Sequence, residues 1–194
     1  AWLVHTGTDD PLTAAASWNR SGPAETYAAR IAAWLEYYAS LGIEARAYGA
    51  AVLRRRERGE TWVRTAELPA NRLWPASEHL QRLFSVEELL SSDVLDRPLA
   101  VVPAAFVDRT SRLEGGDWKS AGATIRLESG IGFGVNLDVY GAALVETLDG
   151  SAPVRDRIPL LSAKLGVPEQ ELTVCADALV RHLVERGFLS YATN

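Results

Sequence analysis

The last third of the chain is the part whose fold its sequence limits most tightly. Three apolar helical runs follow one another, each stopped by a glycine. The first spans about Val139 to Leu148 and ends at Asp149-Gly150. The second spans about Pro153 to Leu165 and ends at Gly166, and the third spans about Pro168 to Arg186 and ends at Gly187. Glycine takes the left-handed backbone that closes a helix, so each stop predicts a tight turn and a new helix packed on the last. In the third run Leu172, Ala176, Leu179 and Leu183 recur at helical spacing and predict a core-facing stripe. Such short helices cannot hold themselves in water and must bury that stripe against something.

What precedes the helices predicts their partner. Thr124–Glu128 and Phe133–Asp138 flank Ser129-Gly-Ile-Gly132 and read as a hairpin. A hairpin plus three short helices is the pattern of a small winged-helix-like module over 124–194. Upstream, 69–123 reads as a linker with a helix and an extended segment. Pro69 to Pro75 is the linker proper, Ser85-Val-Glu-Glu88 a capping box before Leu89 and Leu90, and Ser111 to Ala121 a turn-rich stretch. Pro103 demotes Leu99–Val107 to an edge strand or extended segment.

Residues 1–68 follow a different rhythm. Ala1–His5 is a short buried strand. Asp10 is an N-cap with Pro11 at the first helical position, opening a helix to Asn19. Tyr27, Ile31, Trp34, Leu35 and Tyr38 give the next helix one apolar face, and Gly42 ends it. Ile43–Arg54 and Thr61–Leu68 then read as an antiparallel hairpin. Strand, helices and two strands are the tail of an α/β sheet, with too few strands for a whole one. The fold class expected is therefore α+β: a sheet remnant followed by a helical module.

Composition narrows the chemistry. The chain has 194 residues and a net charge of −5; residues 1–68 are neutral and all the excess acid lies in 69–194. That argues against sequence-independent nucleic-acid binding, which needs a basic face. The one basic cluster is Arg54, Arg55, Arg56 and Arg58, a solvated hairpin end or a phosphate or RNA contact. A single cysteine excludes an internal disulfide framework and any cysteine-built zinc site; three scattered histidines, His5, His79 and His182, argue against a metal. No apolar run approaches the ~20 residues of a membrane span, and no secretory start is present, so a cytoplasmic protein is expected. The chain contains no methionine and opens in the middle of a strand-like run. It reads as a piece of a longer protein.

Few constellations suit catalysis. Gly130-Ile-Gly-Phe-Gly134 has the glycine spacing of a nucleotide loop, but alternating residues follow it where a helix should begin, so hairpin glycines are expected. His5, Thr6, Thr8, Asp9 and Asp10 form a polar cluster just beyond a predicted strand's carboxyl end, where open α/β sheets bind ligands. Asp9-Asp10 and Glu87-Glu88 read as caps rather than acid/base couples. His182 reads as a surface ion-pair position beside Glu185 and Arg186, and Cys175 as a small core residue. No serine has a nucleophile-elbow context.

Ala1-Trp-Leu-Val-His5, Asp10-Pro11, Ala16-Ser-Trp18, Trp34-Leu-Glu-Tyr-Tyr38, Leu41-Gly-Ile-Glu-Ala45 and Tyr48-Gly49 together resemble the last third of actinobacterial-type class I S-adenosylmethionine-dependent methyltransferases. Those enzymes' catalytic part is similar to the glutamine and rRNA guanine N-methyltransferases. Val139-Tyr-Gly-Ala-Ala-Leu144, Asp149-Gly150, Leu179 and Leu183-Val-Glu-Arg-Gly-Phe-Leu189 resemble their C-terminal winged-helix-like domain. The resemblance implies that 1–68 ends a Rossmann-like sheet with strand five and a strand six–seven hairpin. The glycine-rich cofactor loop and the Asn-Pro-Pro-Tyr-type motif would lie upstream, so no catalytic, cofactor-binding or metal-binding residue is assigned here. The parent would use S-adenosylmethionine to methylate a nitrogen of a protein or RNA; the chain alone is expected neither to bind it tightly nor to turn over. His5, Thr6 and Thr8 would rim the substrate cleft, and Arg54, Arg55 and Arg56 could contact nucleic acid. Its partners would be the missing catalytic segment, a macromolecular substrate, and a second copy paired through an exposed sheet edge. The rival reading is a non-enzymatic winged-helix-like module that binds protein or nucleic acid.

Overall fold

The computed structural model describes residues 1–55, 61–68 and 75–191, without the side chains of Glu87 and Glu88. The chain divides into two compact units, Ala1–Arg72 and Leu73–Asn194. Both mix helix and strand, as expected of an α+β chain.

In the first unit β1 (Trp2–Asp9) leads into α1 (Pro11–Trp18) and α2 (Ala24–Ser40), followed by β2 (Arg46–Val52) and β3 (Arg64–Glu67). The cap works as read: Asp10 accepts the Thr13 amide at 2.9 Å, and Pro11 opens α1. The sheet differs from expectation. β2 and β3 do not pair with each other; both flank β1, β2 antiparallel and β3 parallel. The hairpin expected over 43–68 is therefore absent. Alternation identified the strands, but a pairing partner is chosen by burial, and β1 offers the apolar Trp2 and Val4 to both neighbours. Ala14, Ala15 and Tyr38 form the core beneath, with Ile31 and Ile43 packed against it.

The second unit opens with two helices, α3 (Ser77–Ser85) and α4 (Glu87–Leu90), where the sequence predicts one helix capped at Ser85. Ser85 caps nothing: it ends α3, and its hydroxyl donates to the Gln81 carbonyl at 2.8 Å. A 3-10 turn (Val94–Asp96) and β4 (Leu99–Val101) follow, then β5 (Ala105–Glu114) and β6 (Asp117–Leu127). The supposedly turn-rich 111–121 is thus the outer half of a long hairpin, closed at Gly115-Gly116. Its residues are exposed on both faces, so no apolar alternation marked it. β7 (Gly134–Leu137) pairs antiparallel with β6 around the glycine-rich turn, as expected. α5 (Val139–Val145), a 3-10 turn (Val154–Arg157), α6 (Ile158–Leu165) and α7 (Glu169–Glu185) are the three glycine-stopped runs. β8 (Leu189–Tyr191) closes the unit against β4, a pairing no local signal announced.

The core of this unit gathers Leu89, Leu99, Ile125, Val180, Leu183, Val184, Phe188 and Leu189, all under 2% exposed. Among the described residues, no helix is long and apolar enough to cross a membrane.

Candidate functional site

The expected polar cluster lies within β1 rather than beyond its end, because the strand runs through Asp9. A strand's carboxyl-end crevice is therefore not where His5, Thr6 and Thr8 sit. The strand does bring two of them together. Its pairing with β2 slips at Thr6, between His5 and Gly7. Residues three apart in a regular strand face opposite sides; the extra residue restores a common face. His5 Nε2 and Thr8 Oγ1 consequently lie 2.8 Å apart, with Glu67 Oε1 3.7 Å from His5 Nδ1. His5 and Glu67 line one sheet face with Leu3, Gly49, Ala51 and Thr65. Leu3 is 42% exposed there, and among the described residues no helix of this unit covers that face.

Near the cluster Tyr48 donates to Asp9 at 2.7 Å, and this bond holds the phenol above its ordinary pKa. The Thr13 amide holds Asp10 below the usual carboxylate range. Both are packing and capping interactions. Arg54 and Arg55 follow the end of β2 and are exposed; Arg56 and Arg58 lie outside the described residues, as does 69–74 of the linker.

His79, one of three histidines scattered in the sequence, is 2% exposed and ties three parts of the second unit together. Its Nδ1 accepts the Ile131 amide at 3.0 Å, which fixes the proton on Nε2; that nitrogen donates to the Arg186 carbonyl at 2.7 Å. Phe133 meets the ring edge-on at 5.7 Å. Burial pushes the imidazole down to about 4, so it stays neutral. Two glycines make room. A methyl carbon on Gly130 would lie 2.6 Å from the ring and one on Gly187 2.8 Å, and both glycines have positive φ, 114° and 70°. The glycine-rich turn therefore serves a buried histidine, which explains its spacing without a nucleotide. With both ring nitrogens satisfied, His79 is a structural clasp.

Two other readings change. His182 is half-buried and accepts a hydrogen bond from Arg186 Nε at 3.0 Å, and among the described residues it makes no ion pair. Burial, then the Arg186 charge, lowers its pKa. Cys175 is exposed, not core. The buried stripe of α7 is Leu172, Ala176, Val180, Leu183 and Val184, and Cys175 falls beside it.

That displaced cysteine marks the mouth of a groove that no sequence signal predicted. α5, α6 and α7 leave an open cleft of about 450 Å³ floored by Leu144, Leu161, Leu172 and Leu179. Leu179, expected in the core stripe, is only half-buried because it lines this cleft. Asp138 and Glu171 stand at its edge with Tyr140. Asp138 also caps α5 through the Gly141 amide at 2.6 Å. Size and lining suit an apolar ligand or side chains of a partner. Among the described residues, no group of three or more His, Cys, Asp or Glu could hold a metal ion.

Residues 77–191, nearly all of the second unit, match the family described as Domain of unknown function (DUF7782). The chain belongs to this family. No curated protein matches the chain. The DUF7782 match covers both the His79 clasp and the apolar groove, whereas β1 with His5 and Thr8 lies outside it.

Proposed function

We propose that the chain is the C-terminal portion of a class I S-adenosylmethionine-dependent methyltransferase. In this reading the first unit belongs to the Rossmann-like catalytic sheet. The DUF7782 domain is the appended winged-helix-like module that recognises a protein or RNA substrate or supports the catalytic part. The observation that carries the reading is the β1–β3 pair. Parallel strands need a crossover connection that places helices on the faces of a sheet, yet here, among the described residues, nothing covers the face of Leu3, Gly49 and Ala51. The uncovered face calls for further chain of an α/β domain, which in this reading also brings the cofactor loop and the catalytic groups. His5 and Thr8 lie on that face, open to the substrate side of the completed fold. The methyl acceptor is a nitrogen, positioned by groups outside this chain.

The test compares the 194-residue chain with the same chain extended upstream in its reading frame, by calorimetric titration of S-adenosylmethionine. The extended protein is expected to bind at micromolar concentration and the chain alone not to bind. Micromolar binding by the chain alone, or an in-frame start codon immediately before Ala1, overturns the proposal.

A further inference from the structure

The groove between α5, α6 and α7 is more than a packing defect. Leu144, Leu161 and Leu172 are buried at its floor, Leu179 is half-buried at its wall, and the cleft above them stays open with a mainly apolar lining. Its edge is charged with one sign. Asp138 and Glu171 line it, and among the described residues no lysine or arginine does. The Asp138 oxygen that caps α5 is Oδ1, and no hydrogen bond to Oδ2 occurs among the described residues. Tyr140 in the lining is 44% exposed, and Val139 and Val174, next to lining residues in sequence, are 45% and 68% exposed and extend the apolar surface.

We propose that this groove binds the apolar face of a basic amphipathic helix supplied by a protein partner. Leucine-like side chains at helical i, i+3 and i+4 spacing fill the floor, and lysine or arginine beside them meets the two carboxylates. The acidic edge repels nucleic-acid phosphates and anionic lipid. The inference rests on this groove alone and stands or falls independently of the methyltransferase reading.

The experiment uses the whole 194-residue chain and fluorescence anisotropy of a labelled ~18-residue leucine/lysine helix with all its leucines on one face. Two control peptides keep the composition scrambled or replace lysine by glutamate. The expected result is micromolar binding of the leucine/lysine helix, at least about tenfold weaker binding of either control, and loss of affinity as salt rises. Cys175→Trp, which fills the mouth from an exposed position, is expected to weaken binding about tenfold, and Glu171→Lys about fivefold. Cys175 is the chain's only cysteine, so N-ethylmaleimide provides a second block should Cys175→Trp not fold. Equal binding of lysine and glutamate helices overturns the proposal, as does affinity unchanged by both Cys175 blocks. Anilinonaphthalene sulfonate bound in the groove but not displaced by the lysine helix overturns it in favour of a small apolar ligand.

Discussion

The two units of this chain solve the same problem with different completeness. In the first, a 17-residue helix, α2, buries only Tyr38, and Tyr27, Trp34 and Tyr37 remain 38%, 38% and 53% exposed. Trp34 packs on its own neighbours, 5.4 Å from Tyr38 and 6.1 Å from Tyr37. In the second unit a helix of equal length, α7, buries five residues along one stripe. Helical propensity and amphipathic spacing are similar; what differs is the apolar surface available to receive the stripe. Stability in helices comes mostly from that surface. The comparison teaches that the second unit buries a continuous apolar core, whereas the described residues of the first leave large apolar side chains exposed.

The largest expected effect comes from separating them. Residues 73–194 expressed alone should melt cooperatively by circular dichroism, and residues 1–72 alone should show no cooperative transition. Two sharp, independent transitions would break the contrast. Next come single side chains. Phe188→Ala should cost on the order of 3–5 kcal/mol in urea denaturation, because the ring is fully buried. Trp34→Ala, removing a larger side chain from a half-open surface, should cost clearly less despite its size. A reversed ranking would show that α2 is better covered than its exposure suggests.

His79 makes the second unit acid-sensitive. Its folded pKa, about 4, lies below the ordinary 6.5, so the unfolded chain binds the proton more readily. The stabilisation is complete above pH 6.5 and lost as pH falls towards 4, by on the order of 3 kcal/mol. Denaturation of the wild type and of His79→Gln at pH 7.5 and 4.5 checks this; the variant's stability should change less between the two. Gly187→Ala should destabilise at both pH values by strain against the ring. The smallest effect belongs to Asp10→Ala. Its carboxyl is held below the usual range by the Thr13 amide. The cap's contribution is therefore full above the ordinary aspartate pKa and fades as pH falls through the lowered value. A slight loss of helical signal at neutral pH, vanishing in strong acid, is the expected readout.

Much of the local structure was legible. Asp10-Pro11 announced α1, Tyr27 to Tyr38 announced α2, and the glycine stops at 166 and 187 bounded α6 and α7, whereas α5 ends at Val145, short of Gly150. Those signals act within a few residues, where capping and periodicity decide. The β5–β6 arm was invisible because its exposed outer half has no buried face to alternate. Cys175 was misread because two neighbouring helical stripes differ by one position, and only the packing of α5 and α6 selects which is buried.

The sequence by itself determined α1, α2, α6 and α7 and the mixed class, since hydrogen-bonding geometry and apolar period are local properties. Tertiary structure alone decided that β2 and β3 both pair with β1, and that Gly130 and Gly187 exist to admit His79. It also decided that α5, α6 and α7 part to leave an acidic-edged apolar groove. Each of these depends on which surfaces meet across long stretches of chain, and burial, not local preference, makes that choice.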